Sequence, residues 1–214
     1  MKKIMFNDKY CLTDAVLKGK KTMTRRIIPC KVCQDVLAPI RYNGSDVSHN
    51  SMAMKHAHYN VGDVIAIAQS YHSIAKVLEE RKWKRTDSSL DKYYIARQMG
   101  HICDTDAGWD NKMFVKAELM PHSIRITGIK IERLQDITDE DCIKEGVRYA
   151  PMRNEENYKS YTFDGWKRKR RGFDYDCYAI NPREAFRVLI NKVSGANTWQ
   201  KNPWVFVYTF ELIK

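Results

Sequence analysis

The chain has 214 residues, 43% hydrophobic and 11% aromatic, with 37 Lys+Arg against 26 Asp+Glu and a formal net charge of +11. That composition excludes a disordered polypeptide. No apolar run approaches the ~18 residues of a membrane-spanning helix, and the start MKKIMFNDKY has no apolar region behind its lysines, so the sequence predicts a cytoplasmic protein without membrane partners, its six cysteines reduced. The positive excess is local. Residues 1–29 hold eight basic and two acidic residues, and Lys167–Arg171 is five cations in a row. Local positive charge points to an anionic partner.

In chain order, Lys3–Phe6 reads as a short strand and Asp8–Lys18 as a helix stopped by Gly19. Lys20–Ile28 reads as extended. Residues 29–60 lack periodicity and read as a long loop, too long for an ordinary connection. Val61–Ala68 is a turn and a buried strand, 72–100 two helices, and Lys112–Leu119 and Ser123–Leu134 strands. In the last of these the apolar parity switches between Ile126 and Ile129, placing a bulge at Gly128. Thr138 caps a short helix opening on Asp139-Glu140-Asp141 and closed by Gly146. Residues 147–180 read as irregular. Asn181-Pro182 starts a helix to about Val193, and Trp204–Ile213 alternates as a final strand. The expected fold class is α+β: a small mixed β-barrel with peripheral helices, one domain over 1–214, with insertions near 30–60, 72–110 and 148–180.

Four groups of residues carry chemistry. In Gly19-Lys20-Lys21-Thr22-Met23-Thr24-Arg25-Arg26, a desolvated Lys21 amine that met the Thr24 hydroxyl would take its proton. A solvated basic strand with Thr serving β propensity is the alternative. Glu145 stands at a helix C-terminus, where a carboxylate opposes the helix dipole; a functional carboxylate and simple surface tolerance both account for it. Cys30-x-x-Cys33, with His49, His56 and His58 behind it, offers zinc ligands but not finger spacing, and neither a metal nor a cofactor is expected. Trp166-Lys167-Arg168-Lys169-Arg170-Arg171, followed by Phe173, Tyr175 and Tyr178, sets cations beside aromatics, which suits single-stranded nucleic acid as well as a solvated loop.

The Gly19–Arg26 segment after a short helix resembles the ASCH domain, a branch of the PUA-like superfamily. Val61-Gly62-Asp63-Val64, Met120-Pro121, the segment from Glu132 to Asp141 with Glu145-Gly146 behind it, and Asn202-Pro203-Trp204-Val205 resemble phage and prophage members in order and spacing, over about half the chain. The resemblance implies a PUA-like barrel that binds RNA or a modified nucleoside. Some members are amidohydrolases that remove acetyl from N4-acetylcytidine, and their Lys, Thr and Glu fall on Lys21, Thr24 and Glu145. In that case Thr24 is the nucleophile, Lys21 its base or electrostatic partner, and Glu145 an orienting or proton-handling group. Arg25 and Arg26, with Trp166, Lys167, Arg168, Lys169, Arg170 and Arg171, are the nucleic-acid candidates. A non-catalytic RNA-binding module and a ribonuclease are the alternatives. The chain departs from the family where many phage members carry Arg-Glu after the Val64 strand; here it is Ala68-Gln69.

Overall fold

A computed structural model describes residues 1–38, 50–71, 73–74, 111–113, 115–150 and 159–213, without the side chains of 170 and 173–175. The expected helices of 72–100 lie almost wholly outside those residues, as do His49 and Cys103. The fold is mixed α+β. Its main sheet has five strands in the order β1-β3-β4-β9-β2: β1 Lys3–Ile4, β2 Met23–Ile27, β3 Val64–Ile67, β4 Ser123–Arg133 and β9 Trp204–Ile213. Among the described residues no sheet closes on itself. The chain divides into two compact units, Met1–Phe6 with Val64–Arg125 and Leu212–Lys214, and Asn7–Asp63 with Ile126–Glu211.

In the first unit β1 runs parallel to β3 (Lys3 opposite Ala66, Ile4 opposite Ile67), and β3 pairs antiparallel with the start of β4 (Ile65 opposite Ile124). Ile65, Ala66 and Ile67 are all buried, as an unbroken apolar run requires when both faces of a strand are covered. Ala66 packs with Tyr71, Ile74, Val115, Ala117, Leu119 and Met120. The strand expected over Lys112–Leu119 is instead a 3-10 turn, Ala117–Leu119. Its backbone bonds are local, Leu119 N–H to Lys116 and Met120 N–H to Ala117, and Pro121 holds Met120 extended at the end of the turn.

The second unit carries the remaining elements. The helix expected over Asp8–Lys18 is two pieces, a 3-10 turn Asp8–Tyr10 and an α-helix Leu12–Leu17, because Cys11 between them is left-handed (φ 50°). Gly19, at φ 69°, ends the second piece. The 29–60 segment is not simply loop: helical turns form at Cys30–Val32, Cys33–Leu37 and Ser51–Met54, the last capped by the Asn50 side chain. β4 buries Ile124, Ile126 and Ile131, the parity change expected about Gly128. A Cβ on Gly128 would meet Thr209 Oγ1 of β9 at 2.7 Å. The Asp139–Lys144 helix begins on Thr138, whose Oγ1 accepts from the Asp141 N–H at 3.2 Å. The Pro182–Ser194 helix begins on Asn181, whose Oδ1 accepts from the Glu184 N–H at 2.8 Å, and it buries Ala185, Phe186, Leu189 and Ile190.

The 147–180 segment, read as irregular, forms two small sheets: β5 Arg148–Tyr149 with β6 Tyr161–Thr162, and β7 Lys167–Arg170 with β8 Phe173–Asp176. The basic run is therefore a strand. Arg171 (φ 50°) and Gly172 (φ 84°) make its two-residue turn, and positive φ at both positions matches the twist of a tight hairpin.

Candidate active site

All of the residues here lie in the second unit. Behind Gly19 the chain folds back so that the N–H groups of Lys20 and Lys21 both donate to the Ala15 carbonyl, at 2.8 and 3.0 Å. The Thr22 N–H donates to the Lys144 carbonyl at 3.0 Å, fixing this strand entry against the end of the Asp139–Lys144 helix. Lys21 is thereby aimed at the helix terminus. Its Nζ donates to the Glu145 carbonyl at 2.8 Å and to Glu145 Oε2 at 2.5 Å, and Lys21 and Glu145 are only 2% and 5% exposed.

This contact accounts for Glu145's unfavourable position. A carboxylate at a helix C-terminus is destabilising alone, but the Lys21 ammonium satisfies both that carboxylate and a terminal carbonyl. Gly146 leaves the room: a Cβ there would meet Leu12 Cδ2 at 3.2 Å and Lys21 Cδ at 3.9 Å.

Arg25, on β2, completes the cluster. Nη1 donates to Glu145 Oε1 at 3.1 Å, Nη2 to Glu132 Oε1 at 2.6 Å and to Asp141 Oδ2 at 3.0 Å, and Nε to Glu132 Oε1 at 3.0 Å. Each Glu145 oxygen thus accepts from a different cation. Lys130 reaches Glu132 Oε2 at 2.6 Å from the half-exposed side. Burial pushes the Lys21 amine below its ordinary pKa, and the Glu145 anion opposes that shift. Burial would raise the Asp141 carboxyl, but hydrogen bonding and attraction from Arg25 hold it below the ordinary range.

Thr24 is 5% exposed and sits opposite Tyr208 in the β2–β9 register. Strand alternation gives Thr24 and Arg26 the face of Tyr208 and Phe206, and Arg25 the other face. Lys21 precedes the first residue of β2, so its direction is set by the turn rather than by strand parity. On the Thr24 face the Tyr59 and Tyr208 rings meet edge to face at 5.3 Å, and the His58 N–H donates to Tyr208 Oη at 3.1 Å. Burial raises both phenols, and the Arg26 charge counteracts it.

Of the sequence candidates, the fold brings Lys21, Arg25 and Glu145 together, while Thr24 lies on the β2 face opposite Arg25 and, among the described residues, makes no hydrogen bond to Lys21 or Glu145. Arg25, expected among the nucleic-acid contacts, has a side chain 1% exposed and committed to carboxylates. Arg26 is half-buried beside the tyrosines. Glu132, Asp141 and Lys130 were not foreseen. Asp141 and Glu145 are four apart on one helical face, and Lys130 and Glu132 two apart on one strand face, so the spacing was readable.

Among the described zinc candidates, Cys30, Cys33, His56 and His58, no three come together. Cys33 Sγ approaches the Ile28 carbonyl at 3.6 Å, Cys30 is exposed, and the His58 ring packs on Tyr59 at 4.6 Å. Among the described residues no group of three or more His, Cys, Asp or Glu is placed to hold a metal. Cys142, buried, has its thiol pushed up to about 12. No helix among the described residues is long and apolar enough to cross a membrane.

In comparisons with family models, curated proteins and solved structures, nothing matches this chain.

Proposed function

We propose that the chain is an ASCH-type member of the PUA-like superfamily that hydrolyses an acylated nucleobase amide of the N4-acetylcytidine kind. The observation that carries this reading is the buried contact of Lys21 with Glu145, 124 residues apart in sequence, three residues before a buried Thr24. A buried Lys–Glu–Arg cluster is an expensive arrangement that an apolar core of the same volume would match or better in stability. Perturbed groups of this kind concentrate at functional sites.

In the reaction, Thr24 Oγ attacks the amide carbonyl while its proton passes, through a bridging water, to Lys21, whose pKa burial lowers. Collapse of the tetrahedral intermediate breaks the C–N bond, and the Lys21 proton passes to the departing nucleobase amine. Water then attacks the Thr24 ester by the same route, releasing the carboxylic acid and restoring the hydroxyl. Arg25 and Glu145 position Lys21. Glu145 holds the amine by its side chain and its carbonyl, and Arg25 fixes Glu145 from the other oxygen.

The test is release of cytidine from N4-acetylcytidine. Wild type turns over, and Thr24→Ala and Lys21→Met each lose about 10²–10⁴ in kcat/KM, the ordinary contribution of a nucleophile's base. No turnover by wild type, beside an active control hydrolase, overturns the proposal. So does an undiminished Thr24→Ala.

A further inference from the structure

The β7–β8 hairpin forms one wall of an open groove of about 1210 Å³, lined on that side by Lys167, Arg168, Lys169 and Arg171. The exposed Lys192 lines it from the Pro182–Ser194 helix. Among the described residues no ion pair or hydrogen bond engages the side chains of Lys167, Arg168, Lys169, Arg171 or Lys192. Asp176, opposite Lys167 in the register, lines the groove, and Asp174 stands opposite Lys169, so the five cations exceed the hairpin's acids by three.

Two aromatic rings share the lining. Trp166 lies flat on the buried Phe163, ring centroids 4.9 Å apart at 9°, which fixes the indole at the base of the hairpin. Tyr178 is 42% exposed.

A groove this large, open and cationic exceeds the ~300–1,000 Å³ of an ordinary apolar small-molecule pocket. An extended polyanion fits it better. Cations alone would take any polyanion, but ring faces beside them add a surface on which unpaired bases stack and paired ones cannot. We propose that this groove binds single-stranded nucleic acid, phosphates on Lys167, Arg168, Lys169, Arg171 and Lys192, and bases on Trp166 and Tyr178. The proposal stands independently of the amide-hydrolase reading.

Fluorescence anisotropy with labelled twelve-residue oligo(U) and oligo(dT), and a duplex of equal length, tests it on the full chain. Wild type binds both single strands in the micromolar range at 50 mM salt. With five phosphates engaged, affinity falls about 130-fold on going to 200 mM. The variant Lys167→Gln/Arg168→Gln/Lys169→Gln/Arg171→Gln loses most of that salt dependence and at least tenfold in affinity. Tyr178→Ala, which removes an exposed ring, loses about fivefold or more on the single strands. Circular dichroism and thermal melting establish that both variants are folded. The proposal is overturned if the quadruple variant binds oligo(U) within twofold of wild type. It is equally overturned if Tyr178→Ala leaves single-strand binding unchanged, if duplex binds as tightly as single strands, or if phosphatidylserine vesicles bind where oligonucleotides do not.

Discussion

Lys20–Arg26 and Lys167–Arg171 supply much of the chain's positive excess, and neither contains an acidic residue. In the first, Arg25 meets Glu132, Asp141 and Glu145 at 2.6–3.1 Å, and Lys21 meets Glu145 at 2.5 Å. In the second, the described side chains face an open groove with no such partner. The difference lies in what the topology delivers. β2 runs past the end of the Asp139–Lys144 helix, so three carboxylates reach its cations; the hairpin's own acids, Asp174 and Asp176, lie on its second strand, opposite Lys169 and Lys167 in the register. Charge in a sequence therefore says little about a partner until the fold has decided which charges it consumes internally.

That contrast can be broken experimentally, most forcefully at Arg25. Arg25→Met leaves the buried Asp141 and Glu145 and the part-buried Glu132 without their shared cation and is expected to cost about 3–5 kcal/mol, read as a lowered denaturant midpoint. A loss under 1 kcal/mol would mean that the cluster is solvated and the two cationic segments are alike after all.

A smaller effect belongs to Glu145. A base works unprotonated, so turnover climbs with pH through the lowered Lys21 pKa. Glu145 is the anion that raises that pKa against burial. Glu145→Gln should therefore start the climb at lower pH, with about a tenfold loss of rate on the plateau from the missing charge-assisted bond. A climb displaced to higher pH would contradict the assigned pairing.

The smallest effect is expected at the hairpin. The quadruple Gln variant should change unfolding free energy by no more than about 0.5 kcal/mol, since its cations sit at the surface away from caps and core. A large loss would show that the hairpin's cations, like Arg25, are spent on the fold.

What the sequence discloses follows the range of the forces involved. Thr138 and Asn181 were readable as helix caps because a cap bonds within three residues. The β4 parity switch was readable because it lies within one strand. Cys11 gave no warning of its left-handed break, since the residue type does not favour one. The hairpin was missed because five successive cations show no alternation, although the Gly172 turn was a usable signal. Lys21 with Glu145 is a contact across 124 residues, beyond any local pattern, and it entered only through family resemblance. The PUA-like barrel stays with that resemblance, as an open five-stranded sheet is what the described residues form.

The stack of Trp166 on Phe163 has a thermodynamic consequence for whatever the groove captures. It clamps the hairpin root to a buried ring, and the strand ladder spaces alternate side chains about 6.6–6.8 Å apart. Cations held at a fixed pitch lose far less backbone freedom on capture than the same cations on a floppy tether, where each ordered residue costs roughly 1–2 kcal/mol. The hairpin thus behaves as a pre-set ruler, and the spacing of charges along a ligand, beyond their number alone, becomes something the protein can measure.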